Sequence, residues 1–404
     1  MPGGEGKGCE VMPERAAAEI SAGVRSSGKA SLGELAGFFL RLGTTAFGGP
    51  AAHIAMMEDE LVRRRGWLSR EKFLDLLGAS NLIPGPSSSE LAIHIGYLRG
   101  GWAGLLVAGS CFIAPAAIIV AFLAWLYVRF GRLAAASAIL YGVKPVVIAV
   151  VLQALWALGP TAVKSRFLGL VGACSVALAF LGVHPLLLLL VAGATVCLME
   201  MGASRLCISP LPLSAAPAAA VAGAVSSFSL ASLFLVFLKV GAVVFGSGYV
   251  LLAFLRADLV VHRGWLTDAQ LIDAVAVGQV TPGPVFTTAT FVGYLLGGAR
   301  GAVVATVAIF LPAFLLVAAS GPLIPRIRKS KVAGAFLDGV NVGSLALMAE
   351  VTWQLGRASL VDLVTTALAV ASAIALLRLR LSSAWLILMG AVVGMVTRGF
   401  HHGL

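Results

Sequence analysis

Residues 81–98 read NLIPGPSSSELAIHIGYL, and residues 279–295 read QVTPGPVFTTATFVGYL. In both, a proline-glycine-proline tripeptide interrupts an apolar run, and Gly-Tyr-Leu follows at nearly the same distance. Proline lacks an N–H and its ring clashes with the preceding turn, so a helix breaks there. The shift of 198 residues that takes Pro84-Gly85-Pro86 to Pro282-Gly283-Pro284 holds for other motifs. It carries Leu40-Arg41-Leu42-Gly43 with Phe47-Gly48 onto Leu238-Lys239-Val240-Gly241 with Phe245-Gly246. It also carries Arg65-Gly66-Trp67-Leu68 onto Arg263-Gly264-Trp265-Leu266, and Asp75 onto Asp273. After one deletion, Gly96-Tyr97-Leu98 falls on Gly293-Tyr294-Leu295, Pro115 on Pro312, Gly142-Val143 on Gly339-Val340 and Gly193-Ala194 on Gly390-Ala391. A collinear series of this length is an internal duplication.

The repeats are expected at 32–201 and 229–398, after an N-terminal tail (1–31) and around a Pro-, Ala- and Ser-rich linker (202–228). The tail is rich in Gly, Ser, Ala and charge and has no apolar core, so it reads as disordered and not as a signal peptide. Of the 404 residues, 59% are hydrophobic and only 12% are charged. A soluble domain carries roughly 25% charged residues, so this chain cannot cover a water-facing surface. The expected fold is an all-α polytopic membrane protein with about ten to thirteen crossings of roughly 20 residues each. In each half the apolar runs lie near 35–57, 73–98, 102–128, 133–157 and 167–199, with 233–255, 271–296, 299–321, 332–355 and 360–398 as their repeats. The last of each set is long enough for two short spans.

The net charge of +11 sits in short loops, where basic residues set orientation. No basic stripe interleaved with aromatics is present, which argues against nucleic-acid binding. Two dense basic loops, Arg63 to Lys72 and Arg326 to Lys331, and the basic tail all favour the cytoplasmic side. The tail and the first loop flank a single apolar run, so either that glycine-broken run is re-entrant or the charge rule is overridden. Five dispersed cysteines without a CxxC pair exclude a disulfide framework and a zinc site. No nucleophile elbow, Walker loop or metal-ligand cluster occurs. Neither enzymatic activity, cofactor nor metal is expected, and the energy source would be an ion gradient or the membrane potential.

Breaks at matching positions in two repeats point to a transport site near mid-membrane, where half-helix ends face the substrate. An N-terminal helix end carries partial positive charge and unpaired N–H groups, which suit an anion. The bland alternative is a kink at the membrane edge. Arg41 and Lys239 lie within the first run of each half. They either snorkel to the interface or turn inward to compensate a dianion. Phe47-Gly48-Gly49-Pro50 and Phe245-Gly246-Ser247-Gly248 allow close backbone approach or tight helix packing. Glu90 in Ser87-Ser88-Ser89-Glu90 is either the acid of a capping box or a carrier of a coupling proton, and the second half has no matching acid. Asn81 and Gln279 precede the breaks as candidate donors, and His53, His94, Lys144, Gln153, Asn341 and Glu350 are lesser candidates.

Taken together these residues resemble the chromate ion transporter family, in its long, two-repeat form. The resemblance rests on Arg41-Leu42-Gly43, Phe47 to Pro50 and His53, then Arg65 to Leu68, Pro84 to Pro86, Glu90, Ile93 to Tyr97 and Phe112 to Pro115. It continues in Phe245-Gly246, Arg263 to Leu266, Pro282 to Pro284 and Pro312, although Gly248 stands where the second half would carry a proline. It implies a multi-pass bacterial inner-membrane protein, its halves oppositely oriented, that exports chromate and gives chromate resistance. Sulfate, an isosteric dianion, is the natural competitor, and its uptake or exchange is the alternative. The substrate path would be lined by Arg41, Phe47, Gly48, Gly49, Pro50, His53, Asn81, Pro84, Gly85, Pro86 and Glu90. From the second half it would take Lys239, Phe245, Gly246, Gln279, Pro282, Gly283 and Pro284. The expected partners are the bilayer, the oxyanion and, as an option, a second copy of the chain, but no nucleic acid.

Overall fold

In a computed structural model of the chain, the structure describes residues 31–47, 49–131, 134–200, 228–244, 250–320, 331–379, 381 and 383–399. These residues form helices and connecting turns without strands. In the first half they are α1 (Leu32–Thr45), α2 (Gly49–Glu58, continued by a π-helical turn Asp59–Arg64), α3 (Arg70–Ser80) and α4 (Ser87–Phe130). Next come α5 (Ala134–Ala162), α6 (Arg166–Phe180) and α7 (Pro185–Glu200). The second half repeats the order with α8 (Leu230–Val243), α9 (Val250–Leu255, continued by a π turn Arg256–His262), α10 (Asp268–Val280) and α11 (Thr288–Ser320). It closes with α12 (Lys331–Ser359), α13 (Leu363–Arg378) and α14 (Ser383–Gly399). Short polar residues start many of these helices. The Ser31–Glu34 and Thr267–Gln270 capping boxes open α1 and α10, and Ser69 and Ser165 cap α3 and α6.

Helices over 87–130, 136–162, 285–319 and 332–359 are long and apolar enough to cross a bilayer. The first and third are each bent back on themselves. Gly101 (φ 60°, ψ −147°) and Gly298 (φ 60°, ψ −151°) adopt left-handed backbone that other residues avoid. Around the first bend, a Cβ on Gly96 would strike the Gly104 carbonyl oxygen and Ala108. In a straight helix Gly104 and Ala108 would lie about 12 and about 18 Å from Gly96 at 1.5 Å per residue. So α4 is a hairpin of a half-helix α4a (87–100) and a spanning helix α4b (102–130). The same collision of Gly293 with Gly301 and Ala305 divides α11 into α11a (288–296) and α11b (299–320).

α1 and α2 form a second re-entrant pair. The Arg65 guanidinium returns to lie 5.7 Å over the Phe38 ring, and Arg99 at the end of α4a donates to the Trp67 carbonyl. The start of α1, the Arg-Gly-Trp-Leu turn and the α4 bend therefore share one end of the molecule. The conflict between the basic tail and the first basic loop disappears, because the intervening run turns back. The 167–199 run divides into α6 and α7, as its length predicts.

The two halves are inverted and interlocked. Gly109, near the start of α4b, packs on Phe314, late in α11b. Tyr127, near the end of α4b, packs on Phe291 of α11a, with ring centroids 5.2 Å apart. The spanning helices thus run antiparallel. α5 packs against α13 and α14, while α12 packs against α6 and α7. Each half thus lends its last two helices to the long helix of the other. Small residues make this possible: Gly142 meets Gly390 and Gly394, and a Cβ on Gly339 would lie 2.8 Å from the Gly193 Cα. Leu170, Leu187, Leu190, Val370, Ile374 and Trp385 point outward, whereas His53, Glu90, His94, Asp273 and Gln279 are buried. Apolar outside and polar inside is the distribution of a membrane protein.

Candidate functional site

Both proline-glycine-proline breaks lie where the halves cross. Gly85 (φ 140°) and Gly283 (φ 92°) hold backbone that favours glycine. The Gly85 N–H donates to the carbonyl of Val244, just past α8, at 2.7 Å. Reciprocally, the Gly283 N–H donates to the carbonyl of Ala46, just past α1, at 3.0 Å. A Cβ on Gly283 would sit 2.6 Å from that of Ala116, and one on Gly85 would sit 3.6 Å from that of Ala313. These contacts are images of each other under the repeat. Each tripeptide is thus held by the other half of the chain. One expectation is corrected: the two glycine amides are not open to an anion, because each is spent on a carbonyl of the other half. In the first turn of α4a the Ser89 and Glu90 amides donate to the Pro86 carbonyl, which leaves those of Ser87 and Ser88 without partners in their own helix.

Beside the first break is a cluster of buried polar groups. His53, fully buried on α2, lies with Nε2 3.1 Å from the Ala46 carbonyl and Nδ1 3.2 Å from Ser88 Oγ. A carbonyl can only accept, so a neutral ring carries its proton on Nε2, and Ser88 donates to Nδ1. Ala46 therefore receives both His53 and Gly283, tying α1, α2, α4a and the second break together. Glu90, also fully buried, has neither carboxylate oxygen in a hydrogen bond, and the Ser89 hydroxyl and His94 Nε2 are likewise unpartnered. The capping-box reading of Glu90 fails because α4 is capped by Pro86 with no side-chain hydrogen bond. Its carboxyl instead turns back onto Gly85, where an added Cβ would collide with Oε1.

Arg41 faces a cleft of about 530 Å³ between α1 and α2, lined also by Phe38, Thr45, Met56, Asp59, Glu60 and Arg64. Arg64 bonds Asp59 at 2.9 Å and Arg65 bonds Glu60 at 2.7 Å. Among the described residues Arg41 has no ion pair, although its charge acts on Glu60, so two guanidiniums, Arg41 and Arg64, share the cleft with two carboxylates. Thr45, which also lines it, precedes the Ala46 carbonyl that binds the other half.

Lys239 behaves differently. Its Nζ lies 2.6–2.7 Å from both carboxylate oxygens of Asp258. As placed here it is neutralised, which corrects the expectation of two free cations. Asp258 stands at the position of Glu60, 198 residues on, on the π turn that recurs in both halves. That correspondence was the signal available in the sequence, since an acid recurs opposite each cation. A second missed group joins the halves: Asp273, buried, accepts from Tyr127 Oη at 2.8 Å and pairs with Lys144 Nζ at 3.1 Å.

Of the remaining expected residues, Pro86, Gly283 and Pro284 are buried at the crossing, with Pro282 beside them and Pro84 half-buried. Gly49 (φ 76°) starts α2, with Pro50 in its first turn, where a missing N–H costs nothing. Gln279 is buried one turn before the second break, whereas Asn81 caps α3 with its side chain exposed and is not drawn inward. Phe47 is half exposed at the α1–α2 turn. Gly48, Phe245, Gly246 and Gly248 lie outside the described residues.

A family model described as chromate transporter matches residues 33–198 and again 231–395. The chromate transport protein of Cupriavidus metallidurans is 33% identical over 379 residues, covering 92% of this chain and 94% of that one. The chromate transport protein of Pseudomonas aeruginosa is 36% identical over 335 residues, 79% and 80% of the two chains. An uncharacterized transporter of Methanocaldococcus jannaschii is 27% identical over 336 residues, 78% and 82% of the two. No solved structure matches. With both repeats matched and about a third of its residues shared with such relatives along most of its length, the chain belongs to the chromate transporter family.

Proposed function

We propose that this protein exports chromate across the bacterial inner membrane, giving chromate resistance, with the membrane potential as the driving force. The observation that carries the reading is Arg41, a cation without an ion pair among the described residues, in a cleft whose Thr45 adjoins the Ala46 carbonyl that binds the second break. A tetrahedral dianion would enter beside Arg41, pass Thr45 and the Phe47–Pro50 turn, and lodge against Pro84–Pro86 and Pro282–Pro284. The Ser87 and Ser88 amides at the start of α4a would supply donors there, while His53 holds the Ala46 carbonyl in place. Lys239 would serve the opposite face once its pair with Asp258 opens. A potential of 100 mV, negative inside, is worth about 2.3 kcal/mol per charge and so about 4.6 kcal/mol for a dianion. That sustains a gradient of roughly two thousandfold.

The test is flux of labelled chromate in vesicles containing the full-length protein, with an imposed potassium diffusion potential. Saturable flux toward the positive compartment is expected, with sulfate as competitor. Flux that does not saturate, or that ignores the potential, would reject the reading. Stronger flux of sulfate than of chromate would transfer the same site to sulfate.

A further inference from the structure

Glu90 is the buried acid that the proposed anion path does not need. Its surroundings explain what it can do. Both carboxylate oxygens are buried without a hydrogen bond, and the group lies against Gly85 at the crossing of the halves. One turn along α4a, His94 Nε2 is also buried and unpartnered. His53, reached through Ser88, is the other titratable group at this place. α11 brings apolar residues, Ala313 nearest, to the same point, and the residue just past α8 contributes the Val244 carbonyl. The charges on neighbouring elements are engaged elsewhere. Arg99 binds the Trp67 carbonyl at the α4 bend, Asp273 pairs with Lys144 toward the far end of α4b, and Asp75 on α3 has interactions of its own. Among the described residues, therefore, no cation balances Glu90.

We infer that Glu90 is a proton-binding residue of the transport cycle, loaded together with the oxyanion, so that chromate and one proton cross in the same direction. This rests on the anion site proposed above. A carboxylate and a dianion side by side in a site of low dielectric repel each other, so the anion is admitted only when Glu90 is a neutral acid. Conversely, a bare carboxylate in this apolar setting is costly, so binding of the anion and binding of the proton go together, and the empty site returns with Glu90 deprotonated and opened to water. On the receiving side the anion leaves, and the carboxyl O–H gives its proton to water or, through His94, to the next acceptor. Back on the loading side, Glu90 takes the next proton. Nothing is oxidised or reduced, and each cycle moves one net negative charge instead of two. The second half, with Val285, Phe286, Thr287 and Thr288 at this place, has no acid, so one proton is carried per cycle.

The experiment uses the full chain in proteoliposomes with equal pH on the two sides and a trapped pH-sensitive dye. The buffer is alkaline enough that chromate is the dianion and cannot itself bring the proton. At 100 mV the chromate gradient should balance near fiftyfold instead of two thousandfold, and one proton should move per chromate. Glu90→Gln should lose the proton movement while chromate–chromate exchange persists at a reduced rate. Glu90→Asp should keep a one-to-one ratio with a shifted pH dependence. Saturable chromate flux without protons in the wild type overturns the inference and leaves the export reading intact. Absence of saturable chromate flux rejects the export reading itself. A Glu90→Gln protein that still moves one proton per chromate overturns the assignment to Glu90. If that variant does not fold, a Glu90→Asp protein with unaltered pH dependence does so.

Discussion

The entrances of the two halves are built on one plan and set differently. In the first, Arg41 looks across an open cleft at Glu60, which is already held by Arg65. In the second, Lys239 has closed onto Asp258, and His262, at the place of Arg64, packs on His184 of the other half at 5.6 Å between ring centroids. A neighbouring ion pair even changes polarity: Glu58 with Arg70 in the first half becomes Arg256 with Asp268 in the second. Because the long helices run antiparallel, the two regions lie toward opposite ends of the bundle. In one the cation has no ion pair among the described residues, and in the other it is paired. Duplication supplies both settings from one backbone.

The comparison can be broken most severely at the crossing itself. Gly283→Ala would force a strained φ and press its methyl against the Ala116 methyl, costing about 3–5 kcal/mol of stability. Gly85→Ala has the same strain, but its methyl meets the end of the flexible Glu90 side chain, so about 1–3 kcal/mol is expected. Thermal unfolding in detergent of the two variants checks the order, and equal losses would refute this account of the crossing.

The cations should separate next. Lys239→Ala leaves Asp258 without its cation and should destabilise by about 1–3 kcal/mol, less than a fully buried pair would, because Lys239 is partly exposed. The double change Lys239→Met with Asp258→Leu should recover most of that loss. Arg41→Ala should leave unfolding within about 0.5 kcal/mol of wild type but cut chromate flux roughly tenfold, the effect of about 1.4 kcal/mol of lost attraction. If Arg41→Ala destabilises as much as Lys239→Ala, the contrast between the two cations is wrong.

The smallest effect belongs to the reversed pairs. Glu58–Arg70 is 3.7 Å long with an exposed arginine, and Arg256–Asp268 is 2.7 Å long and better covered. Arg70→Ala should change stability by less than about 0.5 kcal/mol and Arg256→Ala by about 1 kcal/mol, both measurable in the same unfolding assay.

Much of this plan is legible in the sequence, for physical reasons. A proline-glycine-proline within an apolar run has no helical solution, so both breaks can be read directly. The duplication follows from the shared shift. The bends at Gly101 and Gly298 cannot be read, because hydropathy runs on through them and a glycine pair serves helix packing equally well. The re-entrant course of α1 and α2 was only one side of an alternative, which the Arg65–Phe38 contact decides. Arg41 and Lys239 look equivalent in sequence, since an ion pair between segments 19 residues apart depends on the turn that brings them together. Glu90 stays open in the sequence: Ser-x-x-Glu at a helix start reads equally as a cap or as a buried acid, and the direction of its side chain decides against the cap.

The loan of terminal helices between the halves has a consequence for how this chain could be cut. α5 is covered chiefly by helices of the other repeat, and α12 meets its own repeat mainly through α9 and α10. A fragment ending after Glu200 and one beginning before Leu230 would each expose a long unsheathed seam. Made separately they should be degraded, and made together they should find each other in the bilayer. In assembly terms the polypeptide is a pair of entwined subunits that happens to be translated as one.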